Sequence, residues 1–197
     1  MALRLCESEP DFESEGQGAV NGFLRVLDRV VGVDPGLNVT GYAVVEPAKH
    51  GPHVLEAGVI RPAARCRALG QRLAYLYRGL EEVLDAFSPG SLALERVHSH
   101  VKYPRTAILV AHARGVIVLS AATRGIPVFG YAPARIKKTL TGSGRAPKSQ
   151  MQHAIMTELR LNCLPEPHDV ADACAIALCH YHINRNRRLL QDRGIGG

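Results

Sequence analysis

The order of apolar and polar positions changes character several times along the chain, and each change marks an element. Val30-Val31-Gly32-Val33 is apolar without alternation, which predicts a short strand covered on both faces. Two further strand-like runs follow at 40–46 and about 53–60, separated by Gly- and Pro-containing turns, as in a meander. From Arg67 to Phe87 the period becomes 3.6: Leu69, Leu73, Leu76, Leu80, Val83, Leu84 and Phe87 share one helical face, and Ser88-Pro89-Gly90 ends it. SLALE (91–95) predicts a fourth strand, 106–122 an apolar helix stopped by Gly125-Ile126-Pro127, and VFGYA (128–132) a fifth strand. A short basic helix begins at PARIKKTL, a second helix at Lys148, and a last one covers PHDVADACAIALCHYH.

The order βββαβαβα predicts an α/β domain: one five-stranded mixed sheet with helices on both faces. It occupies 29–183, with an acidic, disordered extension over 1–28 and a loose, basic tail over 184–197.

Composition narrows the class. Apolar residues make up 46% of the 197 and the mean hydropathy is −0.02, as in a globular protein able to build one core without staples. Five cysteines show no C-x-x-C spacing, and His98/His100 and His180/His182 are i,i+2 pairs that point apart on a helix. Reduced thiols and a cytoplasmic protein are expected, not a zinc site. Glu7, Glu9, Asp11, Glu13 and Glu15 stand where a secretory signal needs its apolar core. The apolar helix at 106–122 carries His112 and Arg114 at its centre, which argues against a membrane span. It is expected to be buried on more than one face, against the sheet on one side and a partner subunit on the other.

Charge is unevenly placed. The formal net charge is +6, but residues 30–197 hold 21 Lys and Arg against 12 Asp and Glu. Between Glu95 and Glu158 ten basic residues occur and no acid at all. A solvated basic face fits this, and so does a surface turned toward a polyanion.

Four acids stand out by position. Asp34 ends the first strand and Glu95 the fourth, while Asp169 and Asp172 are i,i+3 in the first turn of the last helix. Taken singly, each has a structural reading: Asp34 in a Pro-Gly turn, Glu95 paired with Arg96, Asp169 and Asp172 answering a helix N-terminus. Together, with strands 1 and 4 as neighbours, they gather at one sheet edge, where mutual repulsion costs stability unless cations hold the cluster. All-oxygen donors suit Mg²⁺, and two such ions about 4 Å apart could clamp an in-line phosphodiester hydrolysis.

VVGVDPGLNVTGYAVVE, LALERV, AHARGVIVLSAATRGIPVFGYAPARIKKTLTGSG, KSQMQH and HDVADACAIALCHYH, in that order, resemble the RuvC family of Holliday-junction resolvases, of the RNase H-like fold. The resemblance spans about 29–183. It implies a Mg²⁺-dependent endonuclease that nicks two opposing strands of a four-way junction symmetrically and leaves 5′-phosphate ends. Each active site would take two Mg²⁺, with Mn²⁺ as a substitute. By position it makes Asp34, Glu95, Asp169 and Asp172 the metal-binding and catalytic tetrad, with His168 as the alternative to Asp169. Lys137 and Lys148 match backbone-contacting residues, and Lys138, Arg145, Arg105 and His98 join them as DNA-binding candidates. His98 stands where relatives often present an aromatic ring, with Tyr103 as the alternative. A homodimer through the 106–122 helix and a RuvA–RuvB partner complex are also implied. A nucleotide site at GSGRAPKS is not expected, because Pro147 stands where a phosphate loop needs Gly before Lys.

Overall fold

The computed structural model describes residues 28–96 and 104–192. Five strands, β1 (Val30–Asp34), β2 (Thr40–Ala48), β3 (Gly51–Ile60), β4 (Ser91–Glu95) and β5 (Val128–Tyr131), form one sheet in the order β3-β2-β1-β4-β5. The meander pairs antiparallel, whereas β1–β4 and β4–β5 pair parallel, so the sheet is mixed as expected. Five helices complete the domain: α1 (Leu69–Phe87), α2 (Pro104–Thr123), α3 (Pro133–Thr141), α4 (Lys148–Leu159) and α5 (His168–Asp192).

Because side chains alternate across a strand, each strand divides its residues between two cores. Val31, Val33, Val44, Leu92 and Leu94 pack with Leu76, Leu80 and Leu84 of α1 and Ala113, Ile117 and Ala121 of α2. Val30, Ala43, Val45 and Ala93 pack with α5, with Ile136 of α3 and with Ile155 and Leu159 of α4. The central strand is therefore buried on both faces, which is why β1 shows no alternation in sequence. Arg29 ties the start of β1 down, donating to Glu46 Oε2 at 2.8 Å and to the Phe87 carbonyl at 2.5 Å.

How closely α5 approaches the sheet is decided by a glycine. A Cβ on Gly32 would lie 2.4 Å from the Ala173 carbonyl and 2.5 Å from the Ala177 amide, so only a bare backbone lets helix and strand touch there.

The helix at 106–122 is covered by its own chain on one face only: Ala113, Ile117, Ser120 and Ala121 are buried, while Ile108 and Leu119 are 56% and 57% exposed. One sheet face presents only one contact stripe, so an all-apolar helix laid on it must leave its far side bare. By length and composition α2 could cross a membrane, but its buried stripe and a hydrogen bond from Arg114 to the Glu95 carbonyl bind it to the sheet. One expectation changes: the chain is not a loose tail from 184. Residues 184–192 continue α5, since Arg, Leu, Asn and Gln sustain a helix and no Gly or Pro interrupts it before Gly194. The acidic extension up to Ala19, Val20 and on to Leu27 lies outside the described residues.

Candidate active site

Strand register brings the first two acids together. Val33 pairs with Leu94 in the parallel β1–β4 ladder, so Asp34 and Glu95 are the next residues of adjacent strands at the same end of the sheet. By alternation both belong to the α5 face, with Val30 and Ala93. The other two acids come from α5. Asp34 pairs across β2 with Gly41, and a Cβ on Gly41 would sit 2.0 Å from the Asp169 carbonyl oxygen. The helix N-terminus thus rests on the backbone of β2, and Asp169 arrives beside Asp34 because residue 41 has no side chain. Asp172 follows one turn later.

The turn between β1 and β2 is closed by the hydroxyl of Thr40, buried at 1% exposure, which donates to the Gly36 carbonyl at 2.6 Å. Its oxygen also accepts from the Gly36 amide at 3.4 Å. The spacing D-P-G-x-x-x-T-G is thereby explained residue by residue. Asp34 is held at the strand end, the turn is locked by Thr40, and Gly41 makes room for α5.

Each of the other three acids is near enough to Asp34 to act on its carboxyl. Burial raises the Asp34 carboxyl to about 7, and the charges of Asp172, Glu95 and Asp169 add to the shift. Asp172 is also raised, first by loss of water around its carboxyl. Asp169 adds to that shift, whereas Lys148 and His168 oppose it. The residue as a whole is exposed, so the carboxyl is crowded at the mouth of the pocket and not sealed inside. A cavity of about 250 Å³ there is lined by Glu95, Asp172, Lys137 and Lys148, over a floor of Ile136, Ile155 and Ile176. Two of the acids and two lysines so line one cleft.

The donors are all hard carboxylate oxygens with no thiol among them, a set that fits Mg²⁺ or Mn²⁺. Among the described residues, no three His, Cys, Asp or Glu side chains are gathered as a ready ligand cluster.

The remaining candidates separate. Lys138 and Arg145 are exposed on α3 and on the loop after it, and Arg105 is exposed in the first turn of α2. His98 and its alternative Tyr103 lie outside the described residues. His168 is exposed and acts on Asp172, whereas Asp169 acts on both Asp34 and Asp172. The two C-terminal histidines part as their spacing requires. His180 is buried between Ser91 Oγ (3.1 Å) and Tyr131 Oη (2.7 Å), and burial lowers it to about 4, so it is a neutral structural imidazole. His182 faces Glu158 at 3.2 Å.

Gly41, Thr40 and Arg114 carry the site's geometry, yet sequence reasoning had not singled them out for it. The first two had a signal in the T-G pair that closes the motif. Arg114 had one as the lone cation at the centre of an apolar helix.

Residues 30–180 match the family model described as Crossover junction endodeoxyribonuclease RuvC. The crossover junction endodeoxyribonuclease RuvC of Rhodopirellula baltica is 50% identical over 159 residues, covering 80% of this chain and 88% of that protein. The Thermus thermophilus RuvC structure superposes with a TM-score of 0.73 at 29% identity, covering 80% of this chain and 96% of that one. T. thermophilus RuvC in complex with Holliday junction substrate gives 0.75 at 30%, covering 80% and 95%. A five-stranded RNase H-like sheet, acids ending its neighbouring strands β1 and β4 and a family match over most of its length have one meaning: this chain belongs to the RuvC family of crossover junction endodeoxyribonucleases.

Proposed function

We propose that this protein resolves Holliday junctions by paired, symmetric nicks, with Asp34, Glu95, Asp169 and Asp172 holding two Mg²⁺ and acting as its catalytic acids. The observation that carries the reading is that the other three acids act on the Asp34 carboxyl, and two of them, Glu95 and Asp172, line one cleft with Lys137 and Lys148. Lys137 and Lys148 bind the scissile phosphate and offset charge as the attacking oxygen adds to phosphorus. The carboxylates orient that attack, and cleavage of the P–O3′ bond leaves a 5′-phosphate. Bound Mg²⁺ supplies Lewis acidity toward the phosphate oxygens and makes water a stronger acid. Asp169 is the third ligand in preference to His168, because its charge acts on Asp34 while that of His168 reaches only Asp172. Lys138, Arg145, Arg105 and His98 extend the DNA contact, a RuvA–RuvB complex presents the junction, and the reaction belongs in the cytoplasm.

The test is cleavage of a labelled four-way junction against linear duplex and an RNA–DNA hybrid, with Mg²⁺ and with EDTA. Symmetric nicks in the junction alone, lost in EDTA, are expected. Junction binding without nicks, or cleavage of the hybrid instead, would overturn the assignment.

Symmetric cutting calls for two active sites, and the bare face of α2 supports a homodimer. Ile108, Leu109 and Leu119 expose more apolar surface than one helix of a monomer ordinarily leaves to water. Ile108→Lys should lower the apparent mass from dimer to monomer in sedimentation equilibrium at micromolar protein. An unchanged dimer would place the interface elsewhere.

A further inference from the structure

On the sheet face opposite Glu95 lies a second charged feature, which the acidic cleft does not use. By alternation Arg96 follows Leu92 and Leu94 onto the α2 face, one residue beyond Glu95. Its side chain meets that of Arg114, which rises from the buried side of α2 and donates from Nη1 to the Glu95 carbonyl at 2.6 Å. Both converge above Gly130 of the edge strand β5. A Cβ there would lie 3.2 Å from Arg96 Cγ, 3.4 Å from Arg96 Nε and 3.5 Å from Arg114 Nη2. The absence of a side chain at 130 leaves the space in which the two guanidinium groups meet.

Two cations side by side repel unless an anion lies between them. Among the described residues neither guanidinium has a carboxylate partner, although Arg29 and Arg124 both do. Arg124 holds Glu81 and Asp85 of α1, so α2 can satisfy an arginine where the fold requires it. The Arg114 guanidinium is lowered by burial and by the charge of Arg96, which shows how near the two stand. Their planar donors match the oxygens of a phosphate, which guanidinium groups bind in pairs of parallel hydrogen bonds. The site lies beside Glu95 and apart from Lys137 and Lys148, which stand on the α5 side of the sheet.

We propose that Arg96 and Arg114, cradled by Gly130, form a phosphate-binding site for a DNA backbone phosphodiester, on the flank of Glu95 opposite the two lysines. This rests on the reading of the chain as a DNA junction nuclease. A strand passing Glu95 is then held on both sides of the acid. Arg114, whose other nitrogen fixes the Glu95 backbone, is a positioning residue that couples this phosphate to the catalytic edge.

The test is junction binding in EDTA, without cleavage, across about 50–200 mM salt, for wild type, Arg96→Gln and Arg114→Gln. Arg96 is exposed, so its glutamine variant should fold, and its melting temperature checks that. The log–log salt slope should become shallower by about one unit in Arg96→Gln, the signature of one lost phosphate contact. A scan of single methylphosphonates around the cleavage point should then find one position that weakens wild type several-fold and Arg96→Gln not at all. A wild-type salt slope in Arg96→Gln, or the same methylphosphonate penalty at every position in both proteins, would overturn the site. Because the readout is binding, a protein that fails to nick junctions would sink the functional reading while the slope still decides the site. No salt-dependent binding by wild type would overturn both.

Discussion

Asp34→Asn should abolish junction cleavage, by about a thousandfold or more, while leaving junction affinity nearly unchanged. The amide keeps the size of the carboxylate and removes its charge. In the proposed mechanism that charge holds a cation on which transition-state stabilisation depends, and a loss of about 4 kcal/mol is the scale for removing one such electrostatic element. Affinity survives because the basic residues proposed to bind the backbone lie elsewhere, on α3, α4 and α2. Paired single-turnover cleavage and EDTA binding measurements separate the two. A variant that nicks at the wild-type rate would remove Asp34 from the chemistry.

The same substitution should make the metal-free protein more stable at alkaline pH. Asp34 titrates near 7 in the fold against 3.8 in a free chain, so between those values the folded protein holds a proton that the unfolded one has released. Stability therefore falls as pH rises through that window and levels off above about 7, by at most about 4 kcal/mol. In EDTA, wild type should melt higher at pH 5.5 than at pH 8. Asp34→Asn should flatten this dependence and melt above wild type at pH 8. Mg²⁺ at pH 8 should raise the wild-type melting temperature by mass action and raise that of the variant less. A wild-type melting temperature equal at the two pH values in EDTA would contradict the crowding of the four acids.

Gly41→Ala is expected to be almost as damaging through geometry alone. The added methyl group would stand 2.0 Å from the Asp169 carbonyl oxygen and 2.5 Å from its carbon, both backbone atoms that cannot rotate aside. The N-terminus of α5 must retreat by about 1 Å, and displacement on that scale costs about a hundredfold in rate. Overpacking should cost about 1–3 kcal/mol, more than the roughly 0.4–1 kcal/mol that Gly→Ala returns through the unfolded chain. Gly70→Ala is the control. It lies in α1 with no atom within 4 Å of its Cβ position, so it should melt slightly higher and cleave normally. A fully active Gly41→Ala would show that Asp169 does not depend on this contact.

Much of this was legible in one dimension. Unbroken apolar runs at β1 and β4 and the switch to a 3.6 period in α1 predicted the elements, because burial on two faces or on one leaves a different mark in sequence. Acids placed at the ends of β1 and β4 and in the first turn of α5 marked the site, since a carboxylate ending a buried strand is costly without a use. The resemblance then carried their roles over by position. What the pattern left open was which face of α2 meets the sheet. An apolar composition does not say which side of a helix meets its own sheet, and the bare face at Ile108 and Leu119 emerges only when that sheet is in place. The length of α5 was missed, because a basic composition after Ile183 resembles a loose tail as much as a solvated helix.

By itself, then, the sequence determined the order of the elements, the mixed sheet with helices on both faces and four acids as candidates, all of which follow from local periodicity and from where a charge ends an apolar run. Tertiary structure alone decided that Gly32 and Gly41 let α5 lie against β1 and β2, that Asp34 is raised to about 7 by burial first and then by three acids distant in sequence, and that Arg96 and Arg114 meet above Gly130. Each of these is a contact between residues far apart along the chain. Such contacts depend on how closely two surfaces approach, and that distance is set by what is missing from a backbone as much as by what is present.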